Sequence, residues 1–279
     1  MNRYRCLVFC RGILQLFCIV GWFSVEAFAC QASSREESRS LRETAVLKVC
    51  ERILEKADEI PSGDEGFVQL TTIAFRLVHS QDTIAQSPSI ISDTPGNMSA
   101  VVENNKVAIL SLAVLVGEDR IRTLARFRFS LNSKNVEKLR NRVTLLDRND
   151  LSKHFWVSAG LTVLSGEKQA IAVGVGKELM DSAQGGSGFS FVDLLADQAG
   201  IRFAANAISD EPHAIATRDR IEKGLVIQDV MPSIDALPEG ISTDRFQTEY
   251  GGMGGKKTRE LLKDIQFRLE SCWPTAKQP

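Results

Sequence analysis

Between Leu41 and Cys272 apolar residues recur at three- and four-residue spacings, and nowhere does a two-residue alternation persist beyond a few positions. The first period belongs to helices buried along one face, the second to half-buried strands. The chain is therefore expected to be mainly α, an irregular multi-helix bundle with a central helical hairpin, forming a single domain after a signal peptide. No internal repeat and no sustained heptad is present, which sets aside solenoids and coiled coils.

The apolar rows divide the chain. Val46, Val49, Cys50, Ile53 and Ala57 mark a first helix, opened by the capping-box pattern Ser40-Leu41-Arg42-Glu43 and stopped at Pro61-Ser62-Gly63. Phe67, Leu70, Ile73, Ala74 and Leu77 mark a second. Residues 80–97, with two prolines, read as a loop. Val101 to Val116 holds a strongly apolar core shorter than the about 20 residues a membrane span needs, so it reads as a buried helix. Glu118 to Phe127 reads as helical, and residues 130–150 as a short helix plus loop.

Residues 147–208 carry the most information. Asn149 or Asp150 is placed to cap a helix through His154, Phe155, Val157, Ser158 and Leu161, broken at Ser165-Gly166. A second helix runs from Ala170 to Met180, followed by the glycine-rich connection Gln184 to Gly188. Ser190-Phe191-Val192-Asp193 is a second capping box, opening a helix through Leu194, Asp197, Gly200 and Ala204. Glu167-Lys168-Gln169 sits in the middle of this block, and charges there are expensive in a bilayer, so the hairpin reads as packed in a soluble core. Residues 209–250 are loop-rich, with a helix around Ala214 to Lys223, and the last helix puts Leu262, Ile265, Leu269 and Cys272 on one face.

The first residues read as an address. Arg3, Arg5 and Arg11 precede the apolar run Gly12 to Phe23, and Ala27-Phe28-Ala29 gives a cleavage pattern. Residues 1–29 are therefore expected to be a secretory signal peptide, residues 30–39 a polar tether, and residues 40–279 a mostly helical domain. Cys30 stands where a lipidated cysteine stands in bacterial lipoproteins, so the exported chain is either free in the periplasm or lipid-anchored to the envelope. An oxidising compartment permits a disulfide between Cys50 and Cys272, with two buried free thiols as the alternative. A formal net charge of −1 offers no electrostatic footprint for nucleic acid.

The candidate chemistry lies in the hairpin. Glu178 and Asp181 share a helix face at i, i+3, and Asp193 and Asp197 share another at i, i+4. A glycine-rich turn between the two helices lets those faces meet. Of the three histidines only His154 has acidic company. His154, Glu178, Asp181, Asp193 and Asp197 are thus the candidate catalytic residues. Such a set on facing helices can hold a divalent metal, or divide into acid and base if burial separates their pKa values. The competing reading is structural: Asp193 as a capping residue, Asp197 near a helix dipole, His154 as a core histidine, and Lys153, Lys177 and Arg202 neutralising the carboxylates. Gly174-Val175-Gly176 reads as close helix packing. Gly254-Gly255-Lys256-Lys257-Thr258 fails as a phosphate loop, because Tyr250 stands where its first glycine is needed and no strand is expected before it. There is no G-x-S-x-G, H-E-x-x-H or C-x-x-C.

Residues 150–204 resemble the core of the VanZ-like and YfiM-like membrane proteins and lipoproteins, and the chain looks like an uncharacterised exported bacterial family. The shared pattern is a Lys-His-Phe start, a Lys-Glu-x-x-Asp helix end, a Gly/Ser loop and a Ser-x-x-Asp-Leu-x-x-Asp-x-x-Gly helix. Here these fall on Lys153, His154, Lys177, Glu178, Asp181, Ser190, Asp193, Asp197 and Gly200. The likeness extends to Leu237-Pro238-Glu239-Gly240 and Tyr250-Gly251-Gly252. It implies an envelope location but no defined activity. The VanZ-like hairpins span a membrane, whereas this one carries charges at its middle. Two functions follow as expectations: an exported structural or binding module with an envelope protein partner, or an envelope lipid or glycan hydrolase or transferase using the His/carboxylate set.

Overall fold

The computed structural model describes residues 36–80, 99–182 and 187–272. The expected signal peptide, Cys30, most of the 80–97 loop and residues 183–186 of the glycine-rich connection lie outside the described residues. The chain divides into two units, Met1–Arg42 and Glu43–Pro279. Apart from the first residues of the first helix, everything described below belongs to the second.

Among the described residues the structure is helical, and its only β contacts are isolated bridges. The helices are α1 (36–55), α2 (Asp64–His79), α3 (Ala100–Leu112, continued by a π-helical turn at Ala113–Gly117), α4 (Asp119–Leu124), α5 (Ser133–Arg142), α6 (Asn149–Ser165), α7 (Glu167–Asp181), α8 (Phe191–Ile208), α9 (Glu211–Glu222), α10 (Ile227–Val230), α11 (Thr243–Tyr250) and α12 (Lys256–Glu270). The mainly α multi-helix architecture read from the periodicity is what the chain forms.

Local details depart from expectation. Helix α1 already covers 36–39 of the expected tether, so Ser40 lies within it and does not cap it. Asn149 is not a cap either. Its side-chain amide reaches back to donate to the carbonyls of Arg140 (3.1 Å) and Val143 (2.9 Å), and Arg148 is the residue ahead of α6. Cys50 and Cys272 are buried free thiols, not a disulfide. Their surroundings differ: the Cys50 thiol points at the Ser111 carbonyl of α3 at 3.8 Å, whereas Cys272, beyond α12, lies near Arg202 of α8.

Helix α6 is the centre of the bundle, and small residues set its distances. Gly200 of α8 packs so tightly under Phe155 that a β-carbon there would sit 2.0 Å from the Phe155 carbonyl oxygen. On another side Gly160 meets Ala113 of α3, where a β-carbon would come within 2.6 Å of the alanine methyl. The closest partner of α6 is therefore α8, not the α7 of the expected hairpin. Helix α7 buries only Ala170, Gly174 and Glu178, one residue per turn, and leaves Ile171, Val173, Leu179 and Met180 exposed. It is a surface helix, which corrects the reading of it as a core element. The stretch Ala100–Gly117 is long and apolar enough to cross a membrane, but 72% of it is buried inside the fold.

Two aromatic clusters fix what surrounds the candidate site. Phe67, Phe155, Trp156 and Phe203 join α2, α6 and α8, with neighbouring ring centroids from 5.1 Å (Phe155–Trp156) to 5.8 Å (Trp156–Phe203) apart. Burying each such ring contributes about 1.5–3 kcal/mol. Phe189, Phe191, Phe246 and Tyr250 form the second, with Phe189 stacked on Phe246 at 4.1 Å. This cluster and the Phe189–Ile241 bridge hold the start of α8 against residues 237–250. The Leu237-Pro238-Glu239-Gly240 motif belongs here: the Pro238 carbonyl accepts from Phe191 N–H (2.9 Å), and Gly188, at φ +92°, lies against Gly240 with no room for a β-carbon.

Candidate functional site

The site is built from the i, i+4 geometry of two packed helices. His154 and Ser158 share one face of α6; Asp193 and Asp197 share the facing side of α8. His154 Nδ1 lies 3.0 Å from Asp197 Oδ1, and Ser158 Oγ donates to the same oxygen at 2.7 Å. His154 Nε2 lies 3.3 Å from Asp193 Oδ2. These groups are largely dry, with side-chain exposures of 10% for His154, 15% for Asp193 and 5% for Asp197. Burial alone lowers an imidazole pKa, but hydrogen bonds and charge from Asp193 and Asp197 outweigh it and raise His154 to about 10. Asp193 responds in kind: burial raises it, and the His154 contact more than reverses that, leaving it below the usual carboxylate range.

Helix α7 delivers a third carboxylate. Glu178 has no solvent exposure. Its Oε1 accepts from Lys177 Nζ at 3.0 Å, and its Oε2 accepts the backbone N–H of Ser190 at 3.0 Å. Burial, helped by the nearby charge of Asp193, pushes its pKa above the ordinary glutamate value against the pull of Lys177. Lys177 also binds Asp181 Oδ2 at 2.5 Å, so Asp181 joins the group through the lysine.

This arrangement splits the expected capping box. Ser190 Oγ caps α8 by accepting the Asp193 N–H at 3.0 Å, as the pattern predicts. The reciprocal half is absent: the Ser190 N–H goes to Glu178, which frees the Asp193 carboxylate for His154. Capping therefore does not account for Asp193. Of the cations expected to neutralise the carboxylates, only Lys177 does so. Lys153 turns to Glu118 (2.8 Å), and Arg202 lies beside Cys272. Arg148 comes within 3.9 Å of Asp193 Oδ1, too far for a hydrogen bond, and is itself engaged by Asp150 and Glu239. Two buried carboxylate oxygens, Asp193 Oδ1 and Asp197 Oδ2, have no hydrogen-bond partner.

His154, Glu178 and Asp193 each offer one donor atom, all within 4.8 Å of one another, so a nitrogen and two carboxylates from three helices form a group that can hold a metal ion. Beside them opens a cleft of about 500 Å³, lined by His154, Lys177 and Asp181, by Glu118, Arg120 and Lys153, and by Val157, Val173 and Met180. All five candidate residues thus belong to one polar group at a cleft. Sequence reasoning missed Ser158, whose i+4 spacing from His154 was the available signal, and Glu118 and Arg120, which only the turn between α3 and α4 brings near.

No family model, curated protein or solved structure matches the chain.

Proposed function

We propose that this is an exported cell-envelope protein whose helical domain acts as a binding module. The export reading rests on the basic, apolar and Ala-x-Ala succession of residues 1–29, and the likeness to VanZ-like and YfiM-like proteins agrees with it. The binding reading rests on one observation: a carboxylate at each ring nitrogen holds His154 in place where it lines a cleft. The cleft above it joins Arg120, Lys153 and Lys177 to the apolar Val157, Val173 and Met180. That combination suits an amphipathic anion, such as the headgroup and upper chains of an acidic envelope lipid.

Cosedimentation with phosphatidylglycerol and phosphatidylcholine vesicles tests this, using a Cys30→Ala chain so that no acyl anchor contributes. Binding is expected to favour the acidic vesicles and to fall at least fivefold in Arg120→Glu/Lys153→Glu. Equal binding to both vesicle types, or no loss in the double variant, refutes the reading. Mass spectrometry of the chain recovered from envelopes checks cleavage after Ala29. A hydrolase or transferase is the second reading, favoured by the burial that raises the Glu178 pKa, since raising a carboxyl's pKa suits it to act as an acid. Product release from an envelope lipid or glycan, abolished in a folded Glu178→Gln chain, would replace the first reading with the second.

A further inference from the structure

We propose that His154 Nε2, Asp193 and Glu178 bind a single divalent first-row cation, zinc or manganese, with Asp197 orienting the imidazole. The proposal rests on reading the cleft as a binding site and names what the polar group beside it holds.

Three observations point the same way. The donor set is mixed, one imidazole and two carboxylates, which suits borderline and harder divalent ions rather than a thiophilic one. The donors come from α6, α7 and α8 and lie within 4.8 Å of one another, close to the reach of two metal bonds of about 2.0–2.2 Å. Second, Asp197 Oδ1 sits 3.0 Å from Nδ1 and is itself fixed by Ser158 at 2.7 Å. A carboxylate on the far ring nitrogen is the arrangement that sets the tautomer and turns Nε2 toward a metal.

Third, two buried carboxylate oxygens of the group are unsatisfied. Glu178, Asp193 and Asp197 are nearly or wholly removed from water, yet Asp193 Oδ1 and Asp197 Oδ2 find no hydrogen-bond partner, and the Asp197 side chain is only 5% exposed. Three cations face the group: Lys177 on Glu178 and Arg148 at 3.9 Å from Asp193, both shared with other carboxylates, and the His154 imidazole, whose Nε2 proton the metal ion would displace. Buried anions need partners, and a divalent ion between Asp193 and Glu178 supplies one without a further proton. The cleft that His154 lines lies beside these donors, and water or an anionic group of a ligand would complete the coordination.

The test uses the full chain, extracted from envelopes, stripped with EDTA and titrated calorimetrically with zinc chloride and manganese chloride. One equivalent of one ion is expected to bind saturably and to raise the melting temperature. Glu178→Gln and Asp193→Asn should weaken binding at least tenfold, and Asp197→Asn about 10- to 100-fold. Lys177→Gln leaves every ligand in place and removes a competing cation, so it should bind the ion more tightly than wild type, a gain no purely structural role predicts. That variant keeps the test decisive if a ligand variant fails to fold. No stoichiometric binding of either ion, or affinity unchanged across Glu178→Gln, Asp193→Asn and Lys177→Gln, overturns the proposal. Vesicle binding by the stripped chain reports on the cleft separately, so loss of the metal reading and loss of the lipid reading are told apart.

Discussion

Gly174 of α7 lies directly against the Asp197 carboxylate of α8, and a β-carbon at position 174 would fall 2.8 Å from Oδ2. The carboxylate is held by His154 and Ser158, so it has little freedom to withdraw. Gly174→Ala is therefore expected to lose about 1–3 kcal/mol by overpacking. Gly176, one half-turn on, has nothing within 4 Å of a β-carbon. Gly176→Ala should gain about 0.5–1 kcal/mol from helix propensity alone. Urea denaturation of both variants checks the pair; similar effects in the two would remove Gly174 from any role in seating Asp197.

A second buried polar node lies far from the cleft. His79 Nε2 donates to Asn105 Oδ1 at 2.9 Å, and the Asn105 amide donates to the carbonyls of Ala207 (2.9 Å) and Ala214 (3.1 Å). Burial, with nearby Arg218, lowers the His79 pKa below 6.5 despite that hydrogen bond. Well above pH 6.5 the ring is neutral folded or unfolded, and its contribution does not vary. As the pH falls below 6.5 the unfolded chain takes up a proton that the native ring resists, so native stability drops. The stability difference between wild type and His79→Gln should accordingly shift in favour of the variant between pH 7 and pH 5. A difference constant with pH would show that the native ring protonates freely.

The fold was largely legible because each helix announces itself locally. Phe67, Leu70 and Ala74 mark α2 by spacing alone, and all three are buried. Partners are another matter. Nothing in the spacing says that α6 packs closest on α8, because that depends on Gly200 admitting the Phe155 backbone, a contact 45 residues away in sequence. The same holds within the site. His154, Glu178, Asp181, Asp193 and Asp197 were visible as residue types on helix faces, but the role of Asp197 comes from a histidine on another helix. The two glycines of Gly174-Val175-Gly176 look alike in sequence, yet only Gly174 faces a neighbour.

The thiols make a chemical prediction. Burial pushes Cys50 up to about 12 and raises Cys272 as well, which disfavours the reactive thiolate at both. Peptides containing Cys50 and Cys272 should remain unalkylated after iodoacetamide treatment of the native chain at pH 8. Both should become fully alkylated in denaturant without reductant. Recovery of a peptide pair linked through these two cysteines would contradict the free-thiol arrangement.

Arg140 of α5 closes the end of α3. Its Nε donates to the Leu115 carbonyl at 3.0 Å and its Nη2 to the Val114 carbonyl at 2.9 Å, with Asp119 Oδ1 also 3.0 Å from Nη2. Val114 and Leu115 are buried in the π-helical turn, where carbonyls at a helix end lack partners of their own. Removing the guanidinium strands two carbonyls, so Arg140→Met should cost about 1–3 kcal/mol. Arg140→Lys should recover only part of this, because an ammonium lacks the fork that serves both. Asp119 is 76% exposed, so Asp119→Asn should cost less than about 1 kcal/mol. Urea melts of the three variants, with hydrogen exchange read at residues 113–117, order these effects. A ranking that put Asp119→Asn above Arg140→Met would mean the arginine acts through its ion pair and not through the α3 carbonyls.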